Sequence, residues 1–126
     1  MKTVLFLAAT TLAVSSVVVQ AGDAAKGEKL YGTHCVACHQ ATGKGIPGAF
    51  PPLAGSDYLA DKTAAISMPV KGLSGKITVN GTDYNSAMPS FGHLPDEDIA
   101  DIMTYVMGAW GNAGGDVTAE EVAAVR

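Results

Sequence analysis

A chain of 126 residues with 8 Lys and Arg against 12 Asp and Glu has a formal charge of -4, which argues against nucleic-acid binding through neutralised phosphates. That length supports one small domain. Only 6% of the residues are aromatic while 15 are Gly, so the chain fills a core of its own poorly.

Residues 1–21 read as a secretory signal. Lys2 supplies the positive start, residues 4–19 form an uncharged run of apolar and small residues, and Val19-Gln20-Ala21 puts small residues where a signal peptidase reads them. An uncleaved anchor is the alternative, but the run is short of the roughly 20 apolar residues of a spanning helix and is diluted by Thr10, Thr11, Ser15 and Ser16. No Cys stands at the cleavage point, so a lipid anchor is not indicated. The expected mature domain is residues 22–126, folding outside the cytoplasmic membrane.

Caps and apolar spacing then place four helices. Asp23 caps a helix through Thr33 marked by Leu30 and Tyr31, and Ser56 or Asp57 caps a second that reaches Ser67 before Met68-Pro69 stops it. The clearest runs over residues 96–109, where Ile99, Ile102, Met103, Val106 and Trp110 recur at helical spacing and Gly111-Asn112 ends the pattern. Asp96, Glu97, Asp98 and Asp101 read as helix-start charges and a solvated face rather than as a metal or acid/base group. Thr118 and Glu121 match a capping box opening a short tail helix with Val122 and Val125.

The segments between are long loops. Residues 39–55 hold seven Gly and Pro positions, and residues 69–95 hold one ordered piece, a hairpin at Asn80-Gly81 with Ile77, Val79 and Tyr84. Loops this long in a small domain point to a functional wrap, here around an apolar cofactor that completes the core. Cys35-Val36-Ala37-Cys38-His39 names it as haem. On a helical turn, thiols at i and i+3 face one way and can each form a thioether with a vinyl group, while the imidazole at i+4 reaches the iron. A redox dithiol, half a zinc site and a structural disulfide are the rivals. There is no βαβ pattern around the pair, no further Cys and no second ligand pair.

His39 occupies one face of the iron, so the other needs a ligand. Met88, in the flexible stretch Ser86-Ala87-Met88-Pro89, combines reach with setting. Met103 and Met107 lie in the clear helix and read as core fillers, and Met68 ends a helix close to His39 in sequence. His34 abuts the attachment motif. His93 is the runner-up.

With these residues in view, nearly the whole mature chain resembles the class I c-type cytochromes. Gly27 and Tyr31 look like that family's amino-terminal helix, whose small residue lets the carboxy-terminal helix, here with Ile102 and Tyr105, cross closely. Pro51-Pro52-Leu53-Ala54-Gly55 resembles the segment whose proline carbonyl accepts the ligand imidazole N–H, which assigns that role to Pro51. Asn80-Gly81, Tyr84, Met88-Pro89 and Trp110-Gly111-Asn112 resemble small cytochromes serving periplasmic oxidoreductases. Pro95 stands where the family often has a Ser or Thr cap. The resemblance implies an all-α cytochrome c fold, three to five short helices and long loops around one covalent haem c, with room for one small hairpin.

The function expected is that of a periplasmic electron carrier and not an enzyme. Two axial ligands leave no open position, and a thioether with a buried site favours reduced iron. No Ser, His and carboxylate cluster offers nucleophilic catalysis. The partners expected are redox proteins such as a periplasmic dehydrogenase, reductase or terminal oxidase, met at a haem edge to which Val36, Ala37, Ile46, Ala87 and Pro89 contribute. Lys44, Lys62, Lys71 and Lys76 would steer the encounter if they gather at one rim. Two alternatives stay open: a tightly held dehydrogenase or reductase subunit, favoured by an apolar patch at Val122 and Val125, and a haem protein in which Met88 yields to a small ligand.

Overall fold

The computed structural model describes residues 9–126. Lys2 and the start of the apolar run lie outside these residues. Residues 9–20 form no regular secondary structure and are exposed, Leu12 by 88% and Val17 by 85%. Among the described residues no helix is long and apolar enough to cross a membrane.

Packing begins where Ala21 pairs with Thr118 and the Gly22 N–H donates to the Val117 carbonyl at 2.8 Å. Helix α1 (Ala24–His34) follows, its free first-turn amides capped by the Asp23 carboxylate, which accepts from Ala25 and Lys26. A four-residue turn of helix, α2 (Val36–His39), carries the Cys-Val-Ala-Cys-His motif. Helix α4 (Asp96–Gly108) starts at Asp96 although Pro95, at its N-cap, offers no side-chain hydrogen bond. Proline satisfies the position by fixing φ, and Asp96, Glu97 and Asp98 supply the negative charge that the helix start favours.

Helices α1 and α4 cross at Gly27, where a Cβ would run into the backbone carbonyl of Asp101 and the nitrogen of Ile102. The close approach lets Tyr31 stack on Tyr105, with ring centroids 5.5 Å apart, and on Trp110 at 5.3 Å. The crossing is locked at one end by Asp101. Its carboxylate accepts the Asp23 N–H at 2.6 Å and pairs with Lys26 at 3.1 Å, and Asp98 pairs with the same lysine at 2.7 Å. Asp101 is therefore buried and structural, not part of a solvated face, because the helix crossing brings Asp23 and Lys26 onto it from 78 and 75 positions away.

The second expected helix is two elements. Ser56 caps a single 3-10 turn (Asp57–Ala60), and Asp61 caps a new helix, α3 (Lys62–Lys71), which runs past Ser67 and through Pro69. Pro69 forfeits one amide hydrogen bond in the last turn, its ring is buried, and its carbonyl accepts from Phe91 at 2.8 Å. The hairpin is as read: β1 (Ile77–Val79) pairs antiparallel with β2 (Thr82–Tyr84). Asn80 and Gly81 both take positive φ, the backbone of a tight two-residue turn.

The tail helix α5 (Ala119–Ala123) has the capping box, Thr118 accepting from the Glu121 N–H at 3.2 Å and Glu121 from the Thr118 N–H at 3.0 Å. Val122 is fully buried with Val117, Ile99, Met103 and Met107 in one core cluster, and Val125 packs against it. The surface patch at Val122 and Val125 that would favour a fixed subunit does not form, because α5 turns that face inward onto α3 and α4. A second cluster of Tyr31, Ile102 and Val106 joins α1 to α4. The chain leaves α4 through Trp110, whose left-handed backbone (φ 52°) is held by the aromatic stack and by its indole N–H donating to the Ala41 carbonyl at 3.0 Å.

Candidate haem site

The core clusters leave one deep, apolar cleft between α1, α2, α3 and the loops, with an empty space of about 1110 Å³ including the part open to solvent. Cys35, Cys38, His39, Pro51 and Met88 all line it, so tertiary structure brings the five expected haem-site residues to one cleft. Met68, Met103 and His34 also reach its wall. Among the lining residues neither His93 nor Met107 appears, and Met107 is a core filler as read. His93 instead lies exposed beside Phe91, with ring centroids 6.3 Å apart.

His39 is oriented by the chain twelve positions on. Its Nδ1 lies 3.0 Å from the Pro51 carbonyl oxygen. A carbonyl only accepts, so Nδ1 carries the proton and donates, leaving Nε2 as the nitrogen with a free lone pair. Burial lowers the imidazole pKa, and the Pro51 bond opposes that shift more weakly, so the ring is neutral at neutral pH. Burial, with Cys38 as a lesser cause, pushes the Cys35 thiol up to about 11. Both Cys are free, held on one helical turn by the hydrogen bonds of Cys38 and His39 N–H to the Cys35 carbonyl, at 3.3 and 3.0 Å.

Pro51 itself is placed by a tight loop. A Cβ on Gly45, which has φ +65°, would meet the carbonyls of Phe50 and Pro51, so only glycine lets the two strands of the loop touch. Asn112, beyond α4, closes the same loop: its amide donates to the carbonyls of Leu53 at 3.1 Å and Val106 at 2.8 Å and accepts from the Gly55 N–H at 2.8 Å. The Met88 wall is equally bound. Met88 and Leu73 exchange backbone hydrogen bonds of 2.8 and 3.0 Å, and a Cβ on Gly72 would strike the Met88 carbonyl. The sequence reading missed Asn112 and Gly72 as positioning residues; a glycine just past a helix end is the local signal that marks Gly72.

The donor set suits haem iron. A neutral imidazole with its outer nitrogen already committed, two thiols one helical turn apart, and a thioether on a separate wall face one apolar cleft. No group of three or more His, Cys, Asp and Glu side chains elsewhere among the described residues is arranged to hold a metal ion.

At the mouth, Ala87 and Pro89 line the cleft and are exposed, Ala37 and Ile46 are exposed, and Val36 packs inward against the α1–α4 cluster. Of the four lysines, Lys62 is paired with Glu121 at 2.7 Å and Lys76 with Asp83 at 2.8 Å, so half of the supposed steering charge is neutralised by neighbours.

The cytochrome c family model matches residues 24–110. The chain is 44% identical over 112 residues to cytochrome c-552 of Thermus thermophilus, a match covering 81% of this chain and 85% of the relative. It is 38% identical over 87 residues to cytochrome c-554(548) of Halomonas halodenitrificans, covering 68% and 94%. The cytochrome c subunit of the quinone alcohol dehydrogenase of Gluconobacter oxydans is 32% identical over 108 residues, a match that covers 83% of this chain and 23% of that subunit. With the mostly helical wrap, the hairpin and the apolar cleft, these likenesses settle the family: the chain belongs to the cytochrome c family, class I, an electron carrier with one covalently bound haem c and not an enzyme.

Proposed function

We propose that this protein shuttles single electrons between redox proteins in the periplasm, with haem c joined to Cys35 and Cys38 and its iron held between His39 and Met88. The observation that carries the reading is the convergence of those four side chains on one apolar cleft, with the Pro51 carbonyl 3.0 Å from His39 Nδ1. The haem, when bound, supplies the one-electron iron couple. The chain's own part is to fix both axial donors in advance. Pro51 holds the imidazole in the tautomer that offers Nε2, Leu73 and Gly72 hold the Met88 backbone, and the apolar walls disfavour the extra charge of oxidised iron. Little has to move when the electron arrives.

The periplasmic setting rests on the signal-like residues 1–21, with cleavage expected before Gly22. Residues 9–20 are exposed and form no regular secondary structure. The partner chemistry is that of redox proteins, as with the dehydrogenase subunits among the relatives. A freely diffusing carrier is favoured over a fixed subunit by the full burial of Val122 and the packing of half-buried Val125 against the same cluster, which leave no broad apolar face there for a permanent neighbour to cover.

Absorption spectra of the matured protein test the reading. A weak near-infrared sulfur-to-iron band, retained in Met68→Ala and lost in Met88→Ala, is the result expected. Covalent haem without that band, together with ready carbon monoxide binding, would overturn Met88 ligation in favour of a ligand-binding site.

A further inference from the structure

The loop that carries Met88 is fastened at two places, and only the first is near the ligand. Residues 88–91 are tied to α3 and the chain just after it: Met88 to Leu73, the Ser90 hydroxyl donating to the Val70 carbonyl at 2.6 Å, and the Phe91 N–H to Pro69 at 2.8 Å. Residues 92–96 lean on the core through Leu94, which packs against both apolar clusters, and their backbone is gathered by one side chain, Arg126, whose guanidinium donates to the carbonyls of Gly92 and Leu94, the latter at 2.8 Å, and pairs with the Asp96 carboxylate. Three acceptors on alternate residues of one segment suit the wide planar fork of a guanidinium better than the compact point charge of an ammonium. Arg126 is itself anchored, since it follows α5, whose Val122 is fully buried.

We infer that Arg126 is a positioning residue for the Met88 ligand, a distal clasp that keeps the loop closed over the cleft and so limits dissociation of the thioether from iron. The inference rests on the reading that Met88 is that ligand. Two links couple the clasped segment to the Met88 end of the loop: the Ser90 hydroxyl accepts the Gly92 N–H at 3.1 Å, and the Phe91 carbonyl accepts the Leu94 N–H at 2.9 Å.

Imidazole, which competes with a thioether for ferric iron, reads the difference. The holoprotein, Arg126→Ala, Arg126→Lys and a control, Lys62→Ala, would be titrated with imidazole and followed through the near-infrared band, alongside thermal unfolding. Lys62 pairs with Glu121 and so fastens α3 to α5 without touching the Met88 loop. The expected result is imidazole affinity raised about tenfold in Arg126→Ala, equivalent to one charge-assisted hydrogen bond, and by less in Arg126→Lys, with Lys62→Ala close to the parent. If Arg126→Ala binds imidazole no better than the control while keeping the band, the clasp is refuted and Met88 ligation stands. If the parent has no band, Met88 ligation falls and the clasp falls with it.

Discussion

Two glycines of α1 offer the same substitution with opposite outcomes. Gly27 lies where α1 crosses α4, and a Cβ there would collide with the Asp101 carbonyl and the Ile102 nitrogen; Gly32, one and a half turns later, has nothing within 4 Å of a built Cβ. Backbone atoms cannot rotate aside, so Gly27→Ala must push the helices apart, at an overpacking cost of about 1–3 kcal/mol or more. It also strains the Asp23 to Asp101 bond of 2.6 Å and the Lys26 ion pairs at the same end. The gain in helix propensity is about 1 kcal/mol, too small to offset both. Gly32→Ala receives that gain unopposed. For a domain of this size 1 kcal/mol moves Tm by about 4–8 °C, so the pair should diverge by roughly 10 °C or more. Thermal unfolding of the two holoproteins, followed by far-ultraviolet circular dichroism, measures it. Equal shifts, or a Gly27→Ala protein as stable as the parent, would refute close crossing as the reason for glycine at 27.

The remaining predictions concern the site and its supports. Asn112→Ala should lower stability by about 2–3 kcal/mol, since it leaves the Leu53 and Val106 carbonyls and the Gly55 N–H without their partner, and denaturant titration should show a lower midpoint. Its Asp counterpart should be no better, because a carboxylate cannot donate to the two carbonyls. Replacing Cys35 or Cys38 singly with Ala should leave haem attached through the other thiol after acidified acetone extraction, whereas the double variant should release it. Glu121 is held below the usual carboxylate range chiefly by Lys62, with the Thr118 N–H assisting. A depressed folded pKa stabilises above the unfolded value of about 4.3 and is lost as pH falls through the lower folded value, so Glu121→Gln should be less stable than the parent at pH 6 and converge with it in acid. Urea midpoints at pH 6 and below pH 4 decide that.

What the sequence by itself determined is whatever depends on neighbours along the chain. Asp23 as a cap, the Thr118 and Glu121 box, the Asn80-Gly81 turn, the apolar face of residues 96–108 and the Cys35 to His39 motif each involve residues within about one or two helical turns, and all formed as read. The family's mark, two thiols and an imidazole on one turn, is of this kind, which is why the cofactor was legible before any fold was.

Tertiary structure alone decided what depends on distant partners. Pro69 stays inside α3 because Phe91 takes its carbonyl and the core takes its ring, and Asp101 is buried because Asp23 and Lys26 reach it across the helix crossing. Val122 disappears into the core, Lys62 and Lys76 pair with Glu121 and Asp83, and Arg126 closes over residues 92–96. No periodicity marks such contacts. They are chosen by which surfaces the crossing of α1 and α4 leaves free, and that is a property of the whole chain folded around one cleft.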